Sequence, residues 1–362
     1  MSRSMNGAKE GVDDGSNVRV TGGASSDGVA GDVAIRVEGL TRNFAALTAV
    51  DGLSFTVRRG ELFGLVGPDG AGKTTTLRML AGVMRPSAGD AVINGVSVAK
   101  DPEAVKHDLA YMPQRFGLYS DLTVLENLEF YADLFQVPKA ERPARLERLF
   151  QFSNLGPFKG RLAGKLSGGM KQKLALSCAL IHQPKVLLLD EPTFGVDPIS
   201  RRDLWLIVHE MVAQGVTVVV STAYMDEAER FDRLALLHEG RIIALDAPQA
   251  LEGAIGGTML SVEVDPVRGA RAHLARHPLV RRVALFGDRL HVTVAGGDAV
   301  GQADERWGGL TVGQGDGMSA GRAAKLIEDT LREAGAGVRG VRVVAPSLED
   351  VFIDRIPAGE AA

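Results

Sequence analysis

Gly67-Pro68-Asp69-Gly70-Ala71-Gly72-Lys73-Thr74 joins an apolar stretch, residues 62–66, to a helical pattern over 75–84. Glycines at this spacing let successive backbone N–H groups turn inward around phosphate oxygens, and a helix N-terminus adds partial positive charge. Lys73 then reaches the outer phosphates of a nucleotide, and the Thr74 hydroxyl is the expected ligand of Mg²⁺. Thr75 opens the helix and completes the phosphate-holding set. A second stretch, Val186-Leu187-Leu188-Leu189-Asp190-Glu191, reads as a buried strand ending in two carboxylates. Asp190 is placed to hold Mg²⁺ and Glu191 to polarise an attacking water. A strand end of this kind is often just solvated. More than a hundred residues after a phosphate loop, it reads as the second strand of one nucleotide site.

A third stretch, Leu166-Ser167-Gly168-Gly169-Met170-Lys171-Gln172, precedes a helical pattern over 173–181. Alone it is an N-cap as readily as an anion site. With the other two motifs, the sequence over about 34–255 resembles the ATPase subunits of ABC transporters, whose LSGGQ signature lies between phosphate loop and acidic strand. Met170 stands where that signature ends in Gln. The resemblance implies a P-loop ABC-type α/β nucleotide-binding domain with a helical subdomain at about 106–172, using ATP and Mg²⁺. By the same resemblance Phe44 stacks on adenine, and Gln114 of Tyr111-Met112-Pro113-Gln114 touches Mg²⁺ and water. Asp197 of Gly195-Val196-Asp197-Pro198 crosses a dimer interface. Each ATP is then sandwiched between the phosphate loop of one domain and Ser167, Gly168 and Gly169 of a second, so one chain holds half of each site.

Two departures stand against these matches. The family has His directly after Ser-Thr at a strand end, where this chain reads Ser221-Thr222-Ala223, and Ala223 donates no side-chain hydrogen bond. Asp69 stands where Asn is usual, a carboxylate beside a triphosphate. Both put fast hydrolysis at this chain's own loop in doubt. The runs at 67–74, 111–124 and 156–174 further resemble the first ATPase half of tandem-ATPase bacterial drug exporters with ABC-2 type permeases. In that family the first half lacks this His. The expectation is one such half standing alone, which works best beside a different ATPase chain whose site its Ser167 completes.

The elements that must position these residues follow from composition and pattern. Forty-one Lys plus Arg against 45 Asp plus Glu give a net charge of −4, which argues against nucleic acid as a partner. No apolar run reaches membrane-spanning length. The expected partners are a membrane permease and a second ATPase subunit, homodimeric or heterodimeric, at the cytoplasmic face of the membrane. The one cysteine, Cys178, reads as a small buried helix residue. Residues 1–33 are Gly-, Ser- and Asp-rich and read as a disordered leader, with Met5 an alternative start. Strand patterns begin at Val33, the chain turns mostly helical between Lys106 and Lys165, and an α/β pattern returns to Leu245. Residues 256–355 read as strand, helix, two strands, helix and strand, a ferredoxin-like α+β module interrupted by a Gly-rich loop at 296–317, with 356–362 a tail. Its closing stretch, Ser347-Leu348-Glu349-Asp350-Val351-Phe352, is expected to dock as a helix onto that small module. The leading reading is thus the ATP-hydrolysing subunit of an ABC-2 type exporter of drugs or other small molecules. The rivals are a soluble ABC protein of translation or DNA repair and a nucleotide-gated module that hydrolyses nothing; no sustained heptads favour the former.

Overall fold

The computed structural model describes residues 32–295 and 319–356. The leader up to residue 31, the Gly-rich loop and most of the tail lie outside them. Two long strands, β1 (Val33–Phe44) and β2 (Leu47–Arg58), form a hairpin. They are followed by β3 (Leu62–Val66) and by α1 (Lys73–Leu80), whose C-terminal turn closes on Gly82 with φ +66°. Next come β4 (Ala88–Ile93), β5 (Val96–Ser97), α2 (Pro102–Val105) and β6 (Leu109–Met112). The hairpin joins β4 and β5 in an antiparallel sheet ordered β2-β1-β4-β5.

The chain then becomes helical in α3 (Val124–Leu134), α4 (Arg142–Ser153) and α5 (Gly168–Leu180). It returns to alternation in β7 (Val186–Asp190), α6 (Pro198–Ala213), β8 (Thr217–Thr222), α7 (Met225–Ala228), β9 (Arg233–His238), β10 (Arg241–Asp246) and α8 (Pro248–Gly253). These strands build a sheet ordered β10-β9-β3-β8-β7-β6, parallel except for β10 at its edge. The helical reading from Lys106 is corrected at its start, because Leu109–Met112 pairs in parallel with β7. A four-residue run is too short for periodicity to separate strand from helix.

The continuous apolar run of β7 is explained by burial on both faces. Val186 and Leu188 pack with α1 and the antiparallel sheet, whereas Leu187 and Leu189 pack with α3 to α6. Cys178 is fully buried in the latter core, and burial pushes its thiol up. It is a packing residue.

The remaining elements are β11 (Thr258–Asp265), α9 (Val267–Leu274), β12 (Val280–Phe286), β13 (Arg289–Val294), α10 (Ala320–Glu333), β14 (Gly337–Val343) and α11 (Leu348–Arg355). The sheet runs β12-β13-β11-β14, antiparallel throughout, the order of a ferredoxin-like βαββαβ unit. Its apolar face and helices α9 and α10 share a small separate core around Leu260, Val262, Leu290 and Ile327.

The final helix corrects an expectation. Leu348 and Val351 of α11 are buried in the main core, together with Ala228, Phe231 and Leu251, and Phe352 packs beside them. Only its polar side meets the small sheet, where Asp350 pairs with His291 at 2.8 Å and Arg282 donates to the Asp354 and Ile356 carbonyls. The apolar spacing was legible as one helical face. Which of two available cores that face would enter was not written in the spacing.

Candidate nucleotide site

The phosphate loop sits between the C-terminal end of β3 and α1 because its glycines adopt backbone angles that side chains resist. Gly70 and Gly72 have φ of +83° and +99°, and a Cβ on Gly72 would lie 2.6 Å from the Ala49 carbonyl oxygen. The loop is anchored by Gly67 N–H donating to Thr222 O and Gly240 N–H donating to Ala71 O. Lys73 is buried and donates to the Gly67 and Pro68 carbonyls at 2.8 and 3.0 Å.

The acidic pair enters from β7, next but one to β3 in the sheet, with β8 between them. Asp190 accepts from Thr74 Oγ1 at 3.0 Å, from Ser221 Oγ at 2.7 Å and from the Tyr111 hydroxyl at 3.2 Å. Glu191 sits in the left-handed region at φ +47°, an uncommon position for a side-chain-bearing residue. Its Oε1 lies 3.2 Å from Lys73 Nζ and its Oε2 accepts from Gln114 Nε2 at 2.8 Å, so both carboxylate oxygens are engaged. Lysine, glutamate and glutamine thus converge from the start of α1, the end of β7 and the segment after β6. The Tyr111 hydroxyl is pushed up to about 12, by burial first and by the charge of Asp190 second, with Arg78 acting in the opposite direction.

One cleft of about 470 Å³ gathers most of the residues expected from sequence. Phe44, Asp69, Gly70, Gly72, Lys73, Thr74, Thr75, Gln114 and Glu191 line it. Gly67 and Ala71 are buried in the loop's frame, Pro68 is exposed beside it, and Asp190 lies beneath, reached through Thr74. Phe44 is 40% exposed, with the Arg42 guanidinium 4.7 Å from its ring centroid, and is not a core side chain. Asp69 is exposed and is in no ion pair among the described residues. Ala223 directly follows β8, whose Ser221 is level with Asp190.

Ser167, Gly168, Gly169 and Asp197 do not line this cleft. Ser167 caps α5, accepting from Met170 N–H at 3.3 Å, so the helix begins five residues earlier than periodicity placed it, with both glycines in its first turn. Asp197 caps α6 by accepting from Ser200 N–H at 3.0 Å, a bond that holds its carboxyl below the usual range. The two first turns pack so closely that a Cβ on Gly169 would fall 2.2 Å from Ser200 Cβ. Ser167, Gly168 and Asp197 are exposed, as are the nearby Phe194 and Ile199.

Two residues that sequence reasoning gave no role complete the site. Tyr111 and Ser221 both hold Asp190, and Ser221 Oγ also accepts from the Glu191 N–H at 3.0 Å. The available signal was a polar residue closing the otherwise apolar run of β8.

Residues 50–194 match the ABC transporter family. A Nod factor export ATP-binding protein I of Ralstonia nicotianae is 39% identical over 265 residues, covering 73% of this chain and 82% of that protein. The chain belongs to the ABC transporter ATP-binding family. A daunorubicin resistance ATP-binding protein of Streptomyces coeruleorubidus is 34% identical over 321 residues, covering 88% of the ABC chain and 94% of the relative. The probable multidrug ABC transporter ATP-binding protein YbhF of Escherichia coli is 42% identical over 332 residues, and the chain spans only 52% of its length. Among solved structures, an ATP-binding subunit of an ABC transporter shares 32% identity and a TM-score of 0.56 over 61% of this chain and 92% of that one. CbiO1 of Clostridium perfringens shares 26% identity and a TM-score of 0.57 over 62% and 92%. Among the described residues no helix is long and apolar enough to cross a membrane.

Proposed function

We propose that this ABC protein binds and hydrolyses ATP at the Lys73 cleft and drives a membrane permease of the ABC-2 exporter type. The observation that carries this reading is the convergence of Lys73, Gln114 and Glu191 at one end of the parallel sheet. Lys73 and the loop amides bind the outer phosphates, and Phe44 offers its ring face to the base. Glu191, oriented by Gln114, takes the proton of the attacking water.

The donor set suits Mg²⁺. Asp190, Thr74 and Gln114 offer oxygen ligands, and among the described residues no group of three or more His, Cys, Asp or Glu forms a cage for a metal. An ion that keeps waters and shares phosphate oxygens needs no such cage. Bound there, it would neutralise charge on the transferring phosphate.

Ser167, Gly168 and Asp197, exposed and outside the cleft, are proposed with the buried Gly169 behind them to complete the nucleotide site of a second ATPase subunit. The exposed Phe194 and Ile199 beside them give that contact an apolar component. A groove of about 290 Å³ lined by Phe116, Leu118, Ser120, Gly164 and Lys171, with Tyr119 and Phe130 exposed near it, is proposed to receive the permease. Cargo is contacted by that permease, and export of drugs or other small molecules is the reading its relatives' names support. The subunit would then work at the cytoplasmic face of the membrane.

Ala223 and Asp69 favour a second reading, in which the site gates by binding and turns over slowly. ATPase activity of the purified chain, with and without Ala223→His, separates the two. A low rate that rises at least about tenfold in the variant, as a restored phosphate contact predicts, supports a hydrolytic site weakened by Ala223. A high rate unchanged by the substitution removes the weakened-site idea, and no turnover in either form removes hydrolysis by this chain alone.

A further inference from the structure

The parallel sheet has a second cleft at its other end. Lys185 and Val216 precede β7 and β8, whereas Glu191 follows β7, so strand length alone puts roughly 16 Å between this cleft and the nucleotide site. It encloses about 550 Å³, within the range of small-molecule sites. Helix α4 forms one wall with residues 145, 148, 149 and 152, one helical face by their spacing. The turn after α5 and the end of α6 form the others.

The chemistry of its lining is two-sided. Leu149, Phe152 and Met211 make an apolar floor, with Leu149 and Met211 buried. Arg145, Arg148 and Lys185 stand around it, and no carboxylate lines it. Two of the cations are engaged. Arg145 donates to the Ile181 carbonyl and pairs with Glu141, and Lys185 pairs with Asp108 at 2.9 Å. Arg148 is exposed, lies 5.3 Å from the Phe152 ring centroid and is in no ion pair among the described residues.

We propose that this cleft binds a free single-chain amphipathic anion, with an aliphatic or aromatic body and one carboxylate or sulfonate head. The body covers the Leu149, Phe152 and Met211 floor, where removal of apolar surface from water drives binding. The head meets Arg148 as a charge-assisted hydrogen bond beside the two partnered cations. A cationic head would meet the Arg148 charge, and a hydrophilic phosphate would leave the floor wet. The site is independent of the nucleotide reading, because none of its lining residues belongs to the Lys73 cleft.

The test is calorimetric titration of the full chain with decanoate, against decyltrimethylammonium as the head-group control. One saturable decanoate site per chain is expected, weakened about tenfold or more by Arg148→Glu, since tenfold matches loss of one charged hydrogen bond. Gln214→Trp, at an exposed rim position, is expected to block the site by filling it, and Lys73→Ala to leave decanoate binding unchanged. Absence of saturable heat, equal binding of the cationic amphiphile, or binding indifferent to both Arg148→Glu and Gln214→Trp overturns the proposal.

Discussion

At the scale of single residues, one hydroxyl, that of Ser221, braces both acidic residues at the end of β7. Ser221 donates to Asp190 at 2.7 Å and accepts from the Glu191 N–H at 3.0 Å, and its side chain is fully buried. Removing it leaves Asp190 with two neutral donors and leaves the Glu191 amide with the Ser221 carbonyl alone. Ser221→Ala is therefore expected to cost about 1.5–3 kcal/mol, the range for a hydrogen bond to a charged group. Urea denaturation checks this, and a loss below about 0.5 kcal/mol would show that the hydroxyl is not the brace described. Lys73, Thr74, Asp190 and Glu191 were legible in the sequence because each lies in a contiguous run whose chemistry is local. Ser221 and Tyr111 were not, because they reach Asp190 only through the register of parallel strands, across 31 and 79 residues of chain. Strand alternation is readable from one segment, whereas register is a property of two.

At the scale of elements, α11 shows how the second core is tied to the first. Its apolar side enters the main core at Leu348 and Val351, and its Asp350 caps its own first turn and bonds His291 of β13. The helix itself was readable from Ser347 and the spacing that follows it, as were nearly all strands and helices of the small sheet. Its partner was not, because an amphipathic helix specifies that it must be covered and leaves open by what. Burial raises the Asp350 carboxyl, but the bonds from His291 and from Ser347, with the histidine charge, outweigh it and hold the group below its ordinary value. A carboxyl depressed in the folded state contributes stability that is whole above its unfolded value, about 3.9, and is lost as pH falls through the folded one. Asp350→Asn is thus expected to be less stable than the native chain by about 1.5–3 kcal/mol at pH 7. The gap should close as pH drops below about 4. Chemical denaturation at neutral and acidic pH measures it, and a gap of constant size would show that the carboxylate's charge has no part in the tie.

At the scale of the whole molecule, the residues expected around one nucleotide fall in two separate places. The phosphate loop, Gln114 and Glu191 share a cleft, while Ser167 and Asp197 cap the first turns of α5 and α6 outside it. Those turns are locked to each other by the close approach of Gly169 to Ser200, so Ser167 does not reach its own cleft without parting two packed helices. A second chain is the simpler supply. Two defective chains then correct each other if mixed, each carrying Ala223→His for a measurable rate, one with Glu191→Gln and the other with Ser167→Arg. Either alone is expected to be inactive, since every site in its own dimer has one missing part. In a mixed dimer one site loses both parts and the other keeps both. Random pairing at equal concentrations makes half of the dimers mixed, with one working site in each, so about a quarter of the Ala223→His rate should return. Recovery that rises with the fraction of mixed dimers would place Ser167 in trans, whereas a mixture no more active than its components would place it nowhere near a partner copy's nucleotide and assign that half-site to a different chain.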